Sequence, residues 1–155
     1  MKVVGLTGTN GKTTTTWILE AVAKAAGWVP GVVGTINSRY RDVVISGVNT
    51  TPPSVELYRL LRCMADEDVD VVFLEVSSHA LEVGRVLGLP FDVAAFLNLS
   101  QDHLDFHGDM ESYFAAKARL FTELLPASTG AGKQPVAVVN VGDQWGRKLQ
   151  VPQVV

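Results

Sequence analysis

The sequence predicts an α/β fold, a mostly parallel sheet with helices on both faces. Three observations carry that expectation. Short apolar runs alternate along the chain with stretches of helical periodicity; a glycine-rich loop joins the first run to the first such stretch; and the later runs are rich in β-branched residues, as strands covered on both faces are.

Taken in order, Lys2-Val3-Val4-Gly5-Leu6 reads as a strand. The segment after its loop carries Ile18, Ala21, Val22 and Ala25 at helical spacing before Gly27 stops it. Val32-Val33 is a second strand. A helix opened by Thr51-Pro52-Pro53 follows, with Leu57, Leu60, Leu61 and Met64 on one face. Val69 to Val76 predicts a buried strand, and Val93-Ala94-Ala95-Phe96-Leu97 another that leads into a polar segment. A helix is expected from about Asp109 to Phe121, a surface loop over Pro126 to Gln134, and a last strand at Val136-Ala137-Val138-Val139.

A length of 155 residues, 47% hydrophobic and 19% charged, suits one compact domain with a real core. The net charge of -3 and the scattered basic residues argue against nucleic acid as a partner. The single cysteine, Cys63, lies in an apolar-periodic stretch, which excludes a disulfide framework and implies packing in a reducing compartment. No stretch approaches the roughly 18 apolar residues of a membrane span, and Met1 to Gly5 is too short and glycine-broken for a signal peptide. A cytoplasmic protein is expected.

Gly8-Thr9-Asn10-Gly11-Lys12-Thr13-Thr14 follows a strand and opens a helix, the context in which a glycine-rich loop binds phosphate. The glycines let several backbone N–H groups converge on phosphate oxygens, Lys12 supplies a cation, and the Thr13 hydroxyl is a ligand for Mg²⁺. The fold expected is therefore of the P-loop NTPase type. The spacing departs from the usual pattern, because Leu6 stands five residues before Gly11 while glycines occupy positions 5 and 8. A glycine-rich turn that merely caps a helix is the alternative; strand, loop and helix in sequence favour ATP.

The loop string Gly-Thr-Asn-Gly-Lys-Thr-Thr resembles that of the Mur ligases and their relatives, the folylpolyglutamate and cyanophycin synthetases. Asn49-Thr50-Thr51-Pro52, Glu75-Val76-Ser77-Ser78-His79-Ala80-Leu81, and Asn98 through Glu111 stand in the order and spacing typical of the branch that adds the third amino acid. The likeness runs from about Val3 to Phe121 and returns weakly at Val138 to Val141. It implies an ATP-dependent carbon–nitrogen ligase: the γ-phosphate passes to the carboxylate of UDP-N-acetylmuramoyl-L-Ala-D-Glu, and the amino group of diaminopimelate or lysine attacks the acyl phosphate. It further implies the central ATP-binding domain, truncated, of a three-domain enzyme whose UDP-binding and amino-acid-binding domains are normally supplied in the same chain. A nucleotide-binding fragment without independent turnover is the alternative.

Residue by residue, the resemblance makes Lys12, His103 and Lys117 catalytic. It gives Mg²⁺ to Thr13, Glu75, His103 and Lys117, the last as a carbamate. Glu75 ends an apolar strand, where a lone charge is costly to bury; an ordinary edge carboxylate is the plainer reading. A lysine whose pKa is lowered by apolar surroundings adds CO₂ and becomes an anionic oxygen ligand; without the resemblance Lys117 reads as a solvated helix lysine. His103 and His107, four apart with Asp102 and Asp105 nearby, also suggest a zinc hydrolase site. By resemblance Asn49, Thr50, Thr51, Ser77 and Arg85 contact the muramoyl-dipeptide, although Thr51 also reads as a helix N-cap and Ser77 as a strand-end hydroxyl. His79 and His107 receive no role.

Overall fold

The structure, a computed structural model, describes residues 1–151. Seven strands form one sheet: β1 (Lys2–Thr7), β2 (Pro30–Val33), β3 (Ser38–Tyr40), β4 (Val43–Ile45), β5 (Val71–Glu75), β6 (Val93–Phe96) and β7 (Val136–Val139). Their order is β4-β3-β2-β5-β1-β6-β7, parallel from β2 through β7 and antiparallel at β2–β3 and β3–β4. The helices are α1 (Lys12–Ala25), α2 (Ser54–Asp66), α3 (Ser78–Glu82), α4 (Leu104–His107), α5 (Met110–Arg119), α6 (Leu125–Ala127) and α7 (Gln144–Lys148). No helix among the described residues is long and apolar enough to cross a membrane.

The expected α/β architecture is therefore observed, and the period of two along β5 shows how it is covered. Val71 and Phe73 join Leu6, Ala23 and Val32 in a small cluster beneath α1. Val72 and Leu74 point the other way, into a larger core with Leu57, Leu61 and Met64 of α2 and Tyr113 and Phe121 of the α5 region. Glu75 has the parity of Val71 and Phe73, so alternation alone aims its carboxylate at the α1 side of the sheet.

Four expectations need correction. Within the β3–β4 hairpin, β3 has no apolar run to announce it, since one of its buried residues is charged: Arg39 lies on Glu20 of α1, with its guanidinium 3.7 Å from the centroid of Trp17. Pro126 to Gln134 is not wholly a surface loop. A π-helical turn at Leu120–Leu124, α6 and a 3₁₀ turn at Ser128–Ala131 extend α5, and the buried Ser128 hydroxyl accepts from the Phe91 N–H at 2.9 Å. Cys63 is exposed and does not pack in the core. Thr51 does not cap α2, whose first residue is Ser54.

Phe91 is wholly buried, and a Cβ on Gly5 of β1 would stand only 2.7 Å from its ring. The strand thus omits a side chain to admit the ring. Phe91→Ala is expected to lower stability by about 3–5 kcal/mol, the range for an aromatic removed from a core that collapses incompletely. Urea unfolding would measure it; a loss below about 1 kcal/mol would mean that the two sides of the contact repack freely.

Candidate active site

The site begins where β1 stops. Gly8 turns the chain against the end of β6, where a Cβ would meet Leu97 Cβ at 3.0 Å and Asn98 N at 3.2 Å. Gly11, at φ 83°, starts α1 from the left-handed region. The first turn of this 14-residue helix carries no acidic side chain, so the positive end of its dipole and its unpaired N–H groups are not neutralised locally. Lys12 curls back, its Nζ donating to Gly8 O at 2.8 Å and Thr9 O at 3.1 Å. Burial pushes its pKa down, against the opposing fields of Glu75 and Asp102. Asn10 and Thr14 stand exposed on either side.

Glu75 lies beside this loop because β5 is the neighbour of β1, with Leu6 opposite Glu75 in the register. Its side chain is essentially buried. Oε2 accepts from the Thr13 hydroxyl at 3.1 Å and the Thr35 hydroxyl at 2.9 Å, and Oε1 from the Thr35 N–H at 3.2 Å. Among the described residues no lysine, arginine or histidine forms a salt bridge with it. A buried carboxylate satisfied by neutral donors alone, next to a threonine hydroxyl, is an all-oxygen set suited to a hard divalent cation. Gly34 makes room for it, since a Cβ there would overlap Glu75 Oε1. The plain edge-carboxylate reading does not account for that burial. Thr35 was missed in the sequence; the Gly-Thr pair directly after β2 was its only signal.

Lys117 is not a solvated lysine. It is buried at the third turn of α5, its Nζ 3.1 Å from Gly8 O and 4.5 Å from the centre of the Tyr113 ring. Two lysine Nζ atoms therefore meet one carbonyl oxygen. Desolvation, and then the field of Lys12, bring the pKa of Lys117 down to about 7. Tyr113 in turn shares a 3.2 Å hydrogen bond between its hydroxyl and Thr9 Oγ1.

Beside the loop lies a cavity of about 410 Å³ whose lining includes Asn49, Thr50, Ser77, Arg85, His103 and His107. Thr51, expected among these contacts, stands behind the wall instead. Fully buried, its hydroxyl donates to Glu75 O at 2.8 Å and accepts from Ser77 N–H at 3.1 Å. Ser77 is a helix cap, its Oγ accepting from Ala80 N–H at the start of α3. Arg85 donates one N–H to Thr51 O and faces the cavity. His103 starts α4 in the left-handed region, largely exposed, with Nε2 3.5 Å from Asp102 Oδ2. His107 also lines the cavity, with its Nε2 2.9 Å from Ser78 Oγ and its ring packed on Phe106 and Tyr113. Burial first, then the field of Lys117, lowers its pKa. A zinc site would need both imidazoles to converge with a third ligand, and among the described residues no three such groups do.

A strand, a glycine loop and a helix presenting lysine and threonine, with a buried carboxylate ending the adjacent parallel strand, define a phosphate-loop nucleotide-binding domain. Within that class the profile of the Mur ligase middle domain matches residues 6–152, and the chain belongs to that family. It is 54% identical over 147 residues to a UDP-N-acetylmuramoyl-L-alanyl-D-glutamate–2,6-diaminopimelate ligase of Geobacter metallireducens, a match covering 95% of this chain and 29% of that one. A solved structure of a ligase of the same name superposes with a TM-score of 0.80 at 31% identity, over 96% of this chain and 28% of the other. A bifunctional folylpolyglutamate synthase/dihydrofolate synthase solved with Mn, AMPPNP and L-glutamate aligns at TM-score 0.63 and 25% identity, over 97% of this chain and 42% of that one. The chain thus spans under a third of the length of the curated relative.

Two outcomes follow from this geometry. Gly34→Ala is expected to displace the Glu75 carboxylate and weaken the Mg²⁺-dependent part of nucleotide binding by about tenfold or more, as the loss of hydrogen bonds to a charged group implies; calorimetry with and without Mg²⁺ reads it. For Lys117 the folded-state pKa, about 7, lies below the ordinary 10.5. Between those values the unfolded chain binds more protons, so stability rises with pH across that window. Lys117→Met removes this slope, as urea unfolding at several pH values would reveal; an unchanged slope would assign it to another group.

Proposed function

We propose that the chain is the nucleotide-binding module of an ATP-dependent ligase that joins 2,6-diaminopimelate to UDP-N-acetylmuramoyl-L-Ala-D-Glu in the cytoplasm. The observation that carries this reading is the meeting of Lys12, Thr13, Glu75 and Lys117 around one phosphate loop, with Arg85 and His103 lining the adjoining cavity. The names of the relatives support the choice of acceptor and amino acid.

The reaction brings two anions together, the triphosphate and the acceptor carboxylate. Carboxylate oxygen bonds to the γ-phosphorus as the bond to the β-phosphate bridge breaks, releasing ADP; the amine then attacks the acyl carbon and phosphate leaves. In this scheme Gly8 to Thr14 cradle the phosphates and Lys12, swung from its carbonyls, neutralises the transferred group. Thr13 and Glu75 would hold a Mg²⁺, which would supply charge neutralisation at the triphosphate. Asn49, Thr50, Ser77 and Arg85 orient the acceptor, Thr51 fixing the wall behind them. His103 faces the same cavity and would be a ligand for a second Mg²⁺.

The burial of Lys117 beside Lys12 supports its carbamylation, in which the amine adds CO₂ and releases a proton. A lysine titrating near 7 has free amine to add CO₂. The product carries negative charge, so repulsion between Lys117 and Lys12 becomes attraction and an oxygen ligand appears where an ammonium stood.

Mg-ATP titrated into this chain by calorimetry is expected to give saturable binding that Lys12→Ala abolishes. No binding to a folded chain would defeat the proposal. With ¹³C-bicarbonate, a carbamate carbonyl resonance is expected that disappears in Lys117→Met. Its absence at saturating bicarbonate, with and without Mg²⁺, would remove the carbamate while leaving the nucleotide site standing.

A further inference from the structure

Strands β1 and β6 run parallel up to Thr7 and Phe96, and their ladder does not stop where the strands do. Leu97 N–H donates to Thr7 O at 2.9 Å, and Thr9 N–H donates to Asn98 O at 3.1 Å. At the next step the phosphate loop turns away from β6, and a main-chain partner for the Asn10 peptide is out of register. The Asn98 side chain takes that place. Its Oδ1 accepts from Asn10 N–H at 2.9 Å and its Nδ2 donates to Asn10 O at 3.0 Å. A side-chain amide carries the same donor and acceptor as a peptide group, so both bonds of one further rung are made.

Ser100 completes the strap. Its N–H donates to Thr9 Oγ1 at 3.0 Å, that hydroxyl donates to Ser100 O at 3.2 Å, and Asn10 Nδ2 donates to Ser100 Oγ at 3.2 Å. The loop residues Thr9 and Asn10 are thereby fixed from outside, through groups that leave the remaining loop N–H groups and Lys12 uncommitted to β6.

We infer that Asn98 is a positioning residue for nucleotide binding: its amide extends the β1–β6 ladder by one rung and holds the apex of the phosphate loop in its binding shape. The inference rests on the nucleotide-site reading above. Preorganisation is the physical basis, because a loop already ordered loses less conformational entropy when phosphate binds. Isosteric replacement by Leu removes both bonds. The loop then samples other shapes, and affinity falls in proportion to the fraction that remains competent.

The test is calorimetric titration of Mg-ATP, and separately of Mg-tripolyphosphate, into the wild-type chain, Asn98→Leu and Asn98→Asp, with thermal unfolding of each. Asp keeps the acceptor toward Asn10 N–H and loses the donor toward Asn10 O. Expected is a loss of about tenfold or more for Asn98→Leu, as two hydrogen bonds imply, and one at least as large for Asp, whose second carboxylate oxygen faces Asn10 O and repels phosphate. Tripolyphosphate should follow ATP, and the unfolding midpoint should change little. Unchanged affinity in a folded Asn98→Leu chain would overturn the inference, as would a fall in midpoint with no fall in affinity. If wild type itself binds no Mg-ATP, the nucleotide reading fails instead, and hydrogen exchange at Thr9 and Asn10 still decides whether Asn98 orders the loop.

Discussion

The buried carboxylate of Glu75 is the constraint on which the site depends. It stands on the central strand pairing, β5 against β1, so it shares a register with the residue that leads into the phosphate loop. Three separate segments attach to this one residue. Thr13 reaches its side chain from α1 and Thr35 from the turn after β2, while Thr51 reaches its main-chain oxygen from the approach to α2. Thr51 passes the connection to Ser77, and Ser77 caps the helix that borders the cavity. An unpaired charge buried in this way is unfavourable alone. Its persistence in the fold is explained by a function for the negative charge, and Gly34 shows the backbone making room for it.

The cationic side of the site is under a matching tension. Lys12 and Lys117 both donate to Gly8 O, and each has its pKa lowered first by burial. Coulomb repulsion over so short a range in a poorly solvated setting is substantial. A polyanion at the loop, or conversion of one amine to an anion, relieves it. Glu75 and the lysine pair are thus opposite charges held apart, Glu75 acting on Lys12 through its field and not through a salt bridge.

The sequence made the phosphate loop, the parallel strands and the α2 face legible because each is a local pattern: glycine spacing, β-branched runs, apolar residues at helical intervals. What it hid was decided by partners far along the chain. Arg39 reads as a solvent residue, and Glu20 and Trp17 of α1 make it an interior one. Lys117 reads as surface on α5, and its burial comes from docking against Gly8, 109 residues away. Thr51, before two prolines, has the local form of a cap and instead spends its hydroxyl on β5. Only resemblance gave Lys117 a role in the site, and for Thr51 it implied a contact at the cavity surface where the side chain lies behind it.

The stretch from Asn98 to Tyr113 joins the phosphate loop to the cavity beside it. Its first residues bind the phosphate loop through Thr9 and Asn10, its middle places His103 and His107 in the cavity, and Tyr113 returns to Thr9. His107 also fastens to Ser78 of α3. The phosphate loop and the cavity wall are thus joined by a few short hydrogen bonds. Under the proposed reaction, in which two anions must meet, a single connecting segment on a fixed sheet would set the distance between them.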